Sequence, residues 1–185
     1  MRVFIVHGWG GSPEGDWIPL LAGQLKSKGY EVITPEMPDA DNPKITSWVN
    51  KLKVVVGKLE NSDILIGHSI GCQTILRFLE TLDNGKKAAK VVFVAPWMKL
   101  ANLSSDDEWE IAKPWLETPI DFSNIKNKAK SFVALFSDND EWVPLEENVK
   151  IFREKLNSKV VILKNKGHFD ESSGIKELPE ILDYI

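Results

Sequence analysis

Five short runs in this chain are almost wholly apolar: VFIV at 3–6, ILIG at 64–67, VVFVA at 91–95, FVALF at 132–136 and VVIL at 160–163. A strand with one face in water alternates apolar and polar residues. A strand that is apolar throughout has no wet face, which is the condition of a parallel strand covered by helices on both sides of its sheet. Longer amphipathic stretches separate the runs, as the crossovers of repeated βα units require. With one weaker run after the first helical stretch, strands are expected at 3–7, 31–35, 63–67, 90–95, 130–137 and 159–164.

Helical spacing fills the gaps. The stretch 17–28 places Leu20, Leu21 and Leu25 on one face, with Gly29 as a stop. Ile45, Trp48, Val49 and Leu52 do the same within 44–59, and further helices are expected at 70–82, 145–156 and 175–184. The segment 96–127 breaks the rhythm with Trp97, Trp109, Trp115, Pro114, Pro119 and the acidic run Asp106-Asp107-Glu108. Ser104 or Ser105 is placed to cap a short helix there, the acids lying at its positive end. The segment reads either as a surface excursion with one helix or as a short cap over a pocket.

Composition bounds the partners. The chain has 185 residues, 43% of them hydrophobic, which suits one domain with a sizeable core, spanning 1–185. A net charge of −4 leaves no basic footprint for nucleic acid or an anionic membrane. The one cysteine, Cys72, excludes an intrachain disulfide and fits a reducing compartment, so a cytoplasmic location is expected. No apolar run approaches the length of a membrane span or a signal-peptide core.

Residues 67–71 read Gly67-His68-Ser69-Ile70-Gly71, a G-x-S-x-G nucleophile elbow between a strand pattern and a helical one. Such a pentapeptide arises by chance in about one chain of this length in twenty, so the strand-turn-helix setting carries the weight. A sharp turn holds the serine backbone strained and lifts its hydroxyl above the sheet. The glycines on either side leave room where strand and helix cross.

A serine nucleophile needs a base, and the order serine, acid, histidine leaves only His168 late enough among His7, His68 and His168. The acid belongs after the preceding strand, in Ser137-Asp138-Asn139-Asp140-Glu141-Trp142-Val143-Pro144. Asp140, four residues before Pro144, is favoured over Asp138, and Glu141 is read as solvated. The Ile70 N–H at the helix start is one expected oxyanion donor. The second is assigned to the Trp9 N–H of His7-Gly8-Trp9-Gly10-Gly11, with Gly8 or Gly10 as alternatives; this loop resembles the HG-rich oxyanion loops of esterases. Strand order 2-1-3-4-5-6 would set that loop against the elbow. The expected fold is therefore a three-layer α/β-hydrolase with a six-stranded parallel sheet.

Together HGWGG, GHSIG, TPIDF at 118–122, SDNDEWVP at 137–144 and KGHFDESSG at 166–174 resemble the small retinoblastoma-binding-protein-type, YdeN-like serine hydrolases over essentially the whole chain. That resemblance implies Ser69, Asp140 and His168 as a triad, no cofactor, and loss of the first two strands of larger α/β-hydrolases. Retinoblastoma-protein binding through L-x-C-x-E does not transfer, because Cys72 sits in Ile70-Gly71-Cys72-Gln73-Thr74.

Trp97 and Trp142, each following a strand's C-terminal end, are candidate substrate-binding residues. Trp17 and Trp48 read as core and Cys72 as a buried thiol. No cluster has metal-ligand spacing, and no P-loop is present. The leading expectation is a hydrolase of small or medium acyl esters, a monomer or homodimer acting on a small molecule. An amidase, peptidase or thioesterase would use the same triad, and a non-catalytic binding module would keep only the scaffold.

Overall fold

The computed structural model describes residues 1–83 and 85–185. Six parallel strands form one sheet: β1 (Arg2–Val6), β2 (Glu31–Ile33), β3 (Ile64–His68), β4 (Lys90–Val94), β5 (Phe132–Ser137) and β6 (Lys159–Leu163). Their order is β2-β1-β3-β4-β5-β6, as the sequence predicted. Apolar strands alternate their residues between two cores. Phe4, Val6, Leu65, Val91, Phe93, Ala134 and Phe136 face one side. Val3, Ile5, Ile64, Ile66, Val92, Val94, Val133 and Leu135 face the other. The edge strands are the exceptions: β2 is three residues long and partly exposed, and no residue of β6 is fully buried.

The helices are α1 (Ile18–Ser27), α2 (Ile45–Val56), α3 (Ile70–Glu80), α4 (Asp106–Glu117), α5 (Phe122–Ile125) and α6 (Leu145–Leu156), followed by a 3-10 turn at Pro179–Tyr184. Their sides follow from handedness. The step from β1 to β2 runs one way across the sheet and every later step runs the other way. Right-handed crossovers therefore put α1 on one face and α2 to α6 on the opposite face. The core memberships agree: Leu21 and Leu25 lie in one cluster, and Leu52, Ile75 and Phe152 in the other.

Two local expectations are corrected. Leu20 is 53% exposed, because the buried face of α1 is Ile18, Leu21, Ala22 and Leu25, the i, i+3, i+4, i+7 set from which Leu20 is rotated away. The tail is helical only from Pro179: 171–174 is taken up by turns, and proline brings no N–H with which to continue a helix from upstream.

The segment 96–127 carries two helices rather than one. Ser105 caps α4, its hydroxyl accepting from the Glu108 N–H at 3.2 Å, while the Glu108 carboxylate accepts from the Ser104 N–H. Trp115, fully buried, donates to the Pro43 carbonyl at 2.9 Å. The Arg77 guanidinium donates from α3 to the carbonyls of Trp115 and Thr118. Buried Asn148 accepts from the N–H groups of Met98 and Lys99 and donates to the carbonyls of Lys99 and Pro144. These bonds fasten both ends of the excursion to the helical layer. Among the described residues no helix is long and apolar enough to cross a membrane.

Candidate active site

Ser69 sits between β3 and α3 with φ 52° and ψ −120°, a strained conformation for a residue with a side chain. Its backbone N–H donates to the Val94 carbonyl at 2.9 Å, which fastens the turn to β4. The flanking glycines are sterically required. A Cβ on Gly67 would stand 2.8 Å from the Cys72 nitrogen, inside α3. One on Gly71 would stand 2.7 Å from the His7 carbonyl oxygen and closer still to that of Val6. Gly71 thus clears the neighbouring strand β1 rather than its own strand, which lets α3 press against the sheet.

The loops after β5 and β6 are joined rung by rung. The Asp138 carboxylate accepts from the Asn165 N–H at 2.8 Å, the Ser137 hydroxyl from the Lys166 N–H at 3.0 Å, and the Asn139 side-chain oxygen from the Gly167 N–H at 2.9 Å. The next rung is Asp140 Oδ2 with His168 Nδ1 at 2.8 Å. Asp140 Oδ1 accepts from the N–H groups of Trp142 and Val143, so its carboxylate is held in place, with a side chain only 2% exposed. A carboxylate only accepts, so His168 Nδ1 carries the proton and Nε2 presents a lone pair. That lone pair lies 2.9 Å from Ser69 Oγ. The structure thus brings Ser69, His168 and Asp140 into one hydrogen-bonded line, while Asp138 serves the loop and Glu141 is exposed.

His168 is held through its backbone. Its N–H donates to Ser173 Oγ at 3.1 Å, and its carbonyl accepts from His68 Nε2 at 2.8 Å. Phe169, fully buried despite φ 60°, has its carbonyl held by the Trp17 indole at 2.9 Å. Trp142 packs edge-on against the His168 ring, with centroids 5.0 Å apart. His68 therefore faces the base's backbone and not the Ser69 hydroxyl. Burial pushes the His68 pKa down to about 4, and the neighbouring His168 adds to the effect. His7 is buried too, its Nδ1 bonded to the Gly8 carbonyl and its Nε2 accepting from the Met37 N–H, and burial lowers its pKa.

The pairing of β1 with β3 sets the HGWGG loop beside the elbow, so that a Cβ on Gly8 would lie 3.4 Å from that of Ser69. The Gly10 N–H is taken by the Ala40 carbonyl at 2.8 Å, which removes it as an oxyanion donor. Among the described residues, the N–H groups of Trp9 and Ile70 have no such partner, and both stay available. The Trp9 indole donates to the Asp41 carbonyl.

A cavity of about 440 Å³ opens over Ser69. Trp9, Trp97 and Trp142 line it, with Leu100 and Leu103 from the excursion supplying apolar wall. Trp97, 1% exposed, also donates its indole N–H to Ser69 Oγ at 3.2 Å, a contact that the pattern of tryptophans did not reveal. Cys72 is buried, its thiol donating to the Gly67 carbonyl, and burial pushes its pKa up. Among the described residues no three His, Cys, Asp or Glu side chains group to hold a metal ion.

A family model described as serine hydrolase matches residues 3–185. YdeN of Bacillus subtilis (strain 168) is 28% identical over 185 residues, covering 100% of this chain and 94% of that protein. The serine hydrolase RBBP9 of Rattus norvegicus is 23% identical over 168 residues, covering 90% of this chain and 80% of the relative. The crystal structure of the ydeN gene product from B. subtilis superposes with a TM-score of 0.89 at 26% identity, covering 99% of this chain and 95% of that one. Est1E from Butyrivibrio proteoclasticus with ferulic acid bound shares the fold, with a TM-score of 0.71 at 18% identity over 92% of this chain and 82% of its own.

Proposed function

The chain belongs to the serine hydrolase family, and on that premise we propose that it cleaves carboxylic esters of small or medium acyl groups through an acyl-enzyme on Ser69. The observation that carries this reading is the unbroken line from Asp140 Oδ2 through His168 to Ser69 Oγ, with links of 2.8 and 2.9 Å. His168 Nε2 takes the hydroxyl proton as Oγ attacks the ester carbonyl carbon. The resulting oxyanion is stabilised by the N–H groups of Ile70 and Trp9. His168 returns the proton to the leaving alkoxide, the C–O bond breaks, and the alcohol departs. Water then gives a proton to His168 and attacks the acyl carbon; His168 passes that proton to Ser69 Oγ as the acyl C–O bond breaks, which releases the acid and restores the serine. Asp140 holds the Nδ1–H tautomer and stabilises the imidazolium formed in each half-reaction. Trp97 and Trp142 shape the substrate cavity, and Leu100 and Leu103 favour an apolar acyl group. A cytoplasmic location fits the single buried thiol.

The test is labelling with a fluorophosphonate probe, read by intact mass, alongside turnover of matched ester, thioester and anilide substrates. One adduct on the wild type, none on Ser69→Ala or His168→Ala, and fastest turnover of the ester is the expected result. An unlabelled, well-folded wild type would overturn the proposal in favour of a binding module on a hydrolase scaffold.

A further inference from the structure

The cavity over Ser69 is lined by four carboxylate side chains, Asp16, Glu108, Asp170 and Glu171, and among the described residues by no lysine or arginine. Asp16 projects from the loop after β1. Its Oδ1 accepts from the Glu171 N–H at 2.9 Å, while Oδ2 lies 3.8 Å from Nδ1 of His68. His68 is 3% exposed. Because a carbonyl only accepts, the bond to the His168 carbonyl places the ring proton on Nε2 and leaves Nδ1 a buried lone pair with no donor. Burial holds the ring neutral, so Nδ1 gains no proton of its own to share with Asp16. Gly8 lies against His68 and Ser69: a Cβ there would stand 3.2 Å from His68 Nδ1 and 3.4 Å from the Ser69 Cβ, so a side chain at this position would crowd Nδ1.

Two acceptors 3.8 Å apart, one of them charged, in a cavity whose charges are all negative, are complementary to a nitrogen that brings positive charge and at least two N–H donors. Such a nitrogen can stand about 2.9 Å from each acceptor. We propose that Asp16 Oδ2 and His68 Nδ1 form a subsite for a primary ammonium group on the alcohol half of the ester. The alcohol half follows from the proton's route: His168 Nε2 protonates the leaving oxygen, and the rings of His168 and His68 are neighbours with centroids 5.3 Å apart. The acyl half is left to Leu100 and Leu103. The inference rests on the hydrolase reading above and specifies its substrate.

The experiment compares kcat/KM for 4-aminobutyl acetate, its neutral counterpart pentyl acetate and the anionic 5-acetoxypentanoate, in the wild type and in Asp16→Asn. Asparagine tolerates the φ of 54° at this position and still accepts from the Glu171 N–H, so the loop is kept while the charge is lost and a donor faces His68. The wild type is expected to prefer the ammonium ester over pentyl acetate about tenfold, the equivalent of ~1.4 kcal/mol, with the carboxylate ester slowest. In Asp16→Asn the ammonium-to-pentyl ratio falls to within about twofold of unity, and in the wild type added salt lowers it. Turnover of pentyl acetate with no ammonium preference, or a preference kept by Asp16→Asn, overturns the subsite alone. No turnover of any of the three esters by a wild type that fluorophosphonate also fails to label overturns the hydrolase reading, and the subsite with it.

Discussion

The indole N–H of Trp97 lies 3.2 Å from Ser69 Oγ, on a side chain that is 1% exposed. An indole nitrogen only donates, so the hydroxyl accepts from Trp97 and its own proton is left to point at His168 Nε2. Trp97 thereby aims the serine as well as walling the cavity. Trp97→Phe keeps most of the ring volume and removes the donor. It is expected to lower kcat about tenfold, the net worth of one buried hydrogen bond, with KM within about twofold. Thermal unfolding run in parallel separates aiming from packing. Wild-type kcat in a well-folded Trp97→Phe would remove the aiming role.

Much of this arrangement was legible in the sequence because it is periodic or local. Strands such as Phe132–Ser137 are buried along their whole length, and that condition alone points to a parallel sheet with helices on both faces. The elbow is legible because its two glycines answer to clashes within one strand-turn-helix unit and the strand beside it. Asp140 separated from Asp138 by its distance to Pro144, but the reason lies in the pairing of two loops: Asp138 meets Asn165 three rungs before Asp140 meets His168. The contacts of Trp97 and Asp16 were not legible. Trp97 is 28 positions from Ser69, and its direction depends on a loop that leaves β4 through Ala95 with φ 47°. Asp16 reaches His68 because strands distant in sequence lie side by side.

Asp140 and Asp138 are separable by kinetics. Asp140→Asn offers His168 Nδ1 an amide in place of a carboxylate, so the tautomer that leaves Nε2 free is no longer enforced. By the behaviour of serine triads kcat should drop by about four orders of magnitude with little change in fold. Asp138→Asn retains an oxygen for the Asn165 N–H and should stay within about threefold of wild type. Comparable losses in the two variants would mean that the orienting acid has been misassigned.

The glycine at 71 is a packing requirement. Its added Cβ would be driven against the carbonyl oxygens of Val6 and His7, which are backbone and have no rotamer to escape into. Gly71→Ala should therefore cost about 3 kcal/mol or more of folding free energy, the upper range for overpacking. Gly23→Ala, where nothing stands within 4 Å of the new atom, is the matched control, and alanine favours the middle of α1 by about 1 kcal/mol. Urea unfolding of the two variants checks the contrast. Equal stabilities would show that α3 can retreat from β1 at little cost.

Acid should weaken the fold through His68. Its folded pKa is near 4, against an ordinary value of 6.5, because the ring is buried. Between those values the unfolded chain binds a proton that the folded chain refuses, so stability rises with pH across that window and is lost as pH falls through it. The contribution is complete above about pH 6.5, and at pH 5 this one group should cost about 2 kcal/mol. His7, lowered by burial as well, acts in the same direction. His68→Asn removes the titration and keeps an amide donor for the His168 carbonyl. Its unfolding free energy should therefore change less between pH 7.5 and pH 5 than that of the wild type, by about the same 2 kcal/mol. Urea titrations of both proteins at the two pH values measure this difference. An identical pH slope in the variant would place the acid sensitivity elsewhere in the chain.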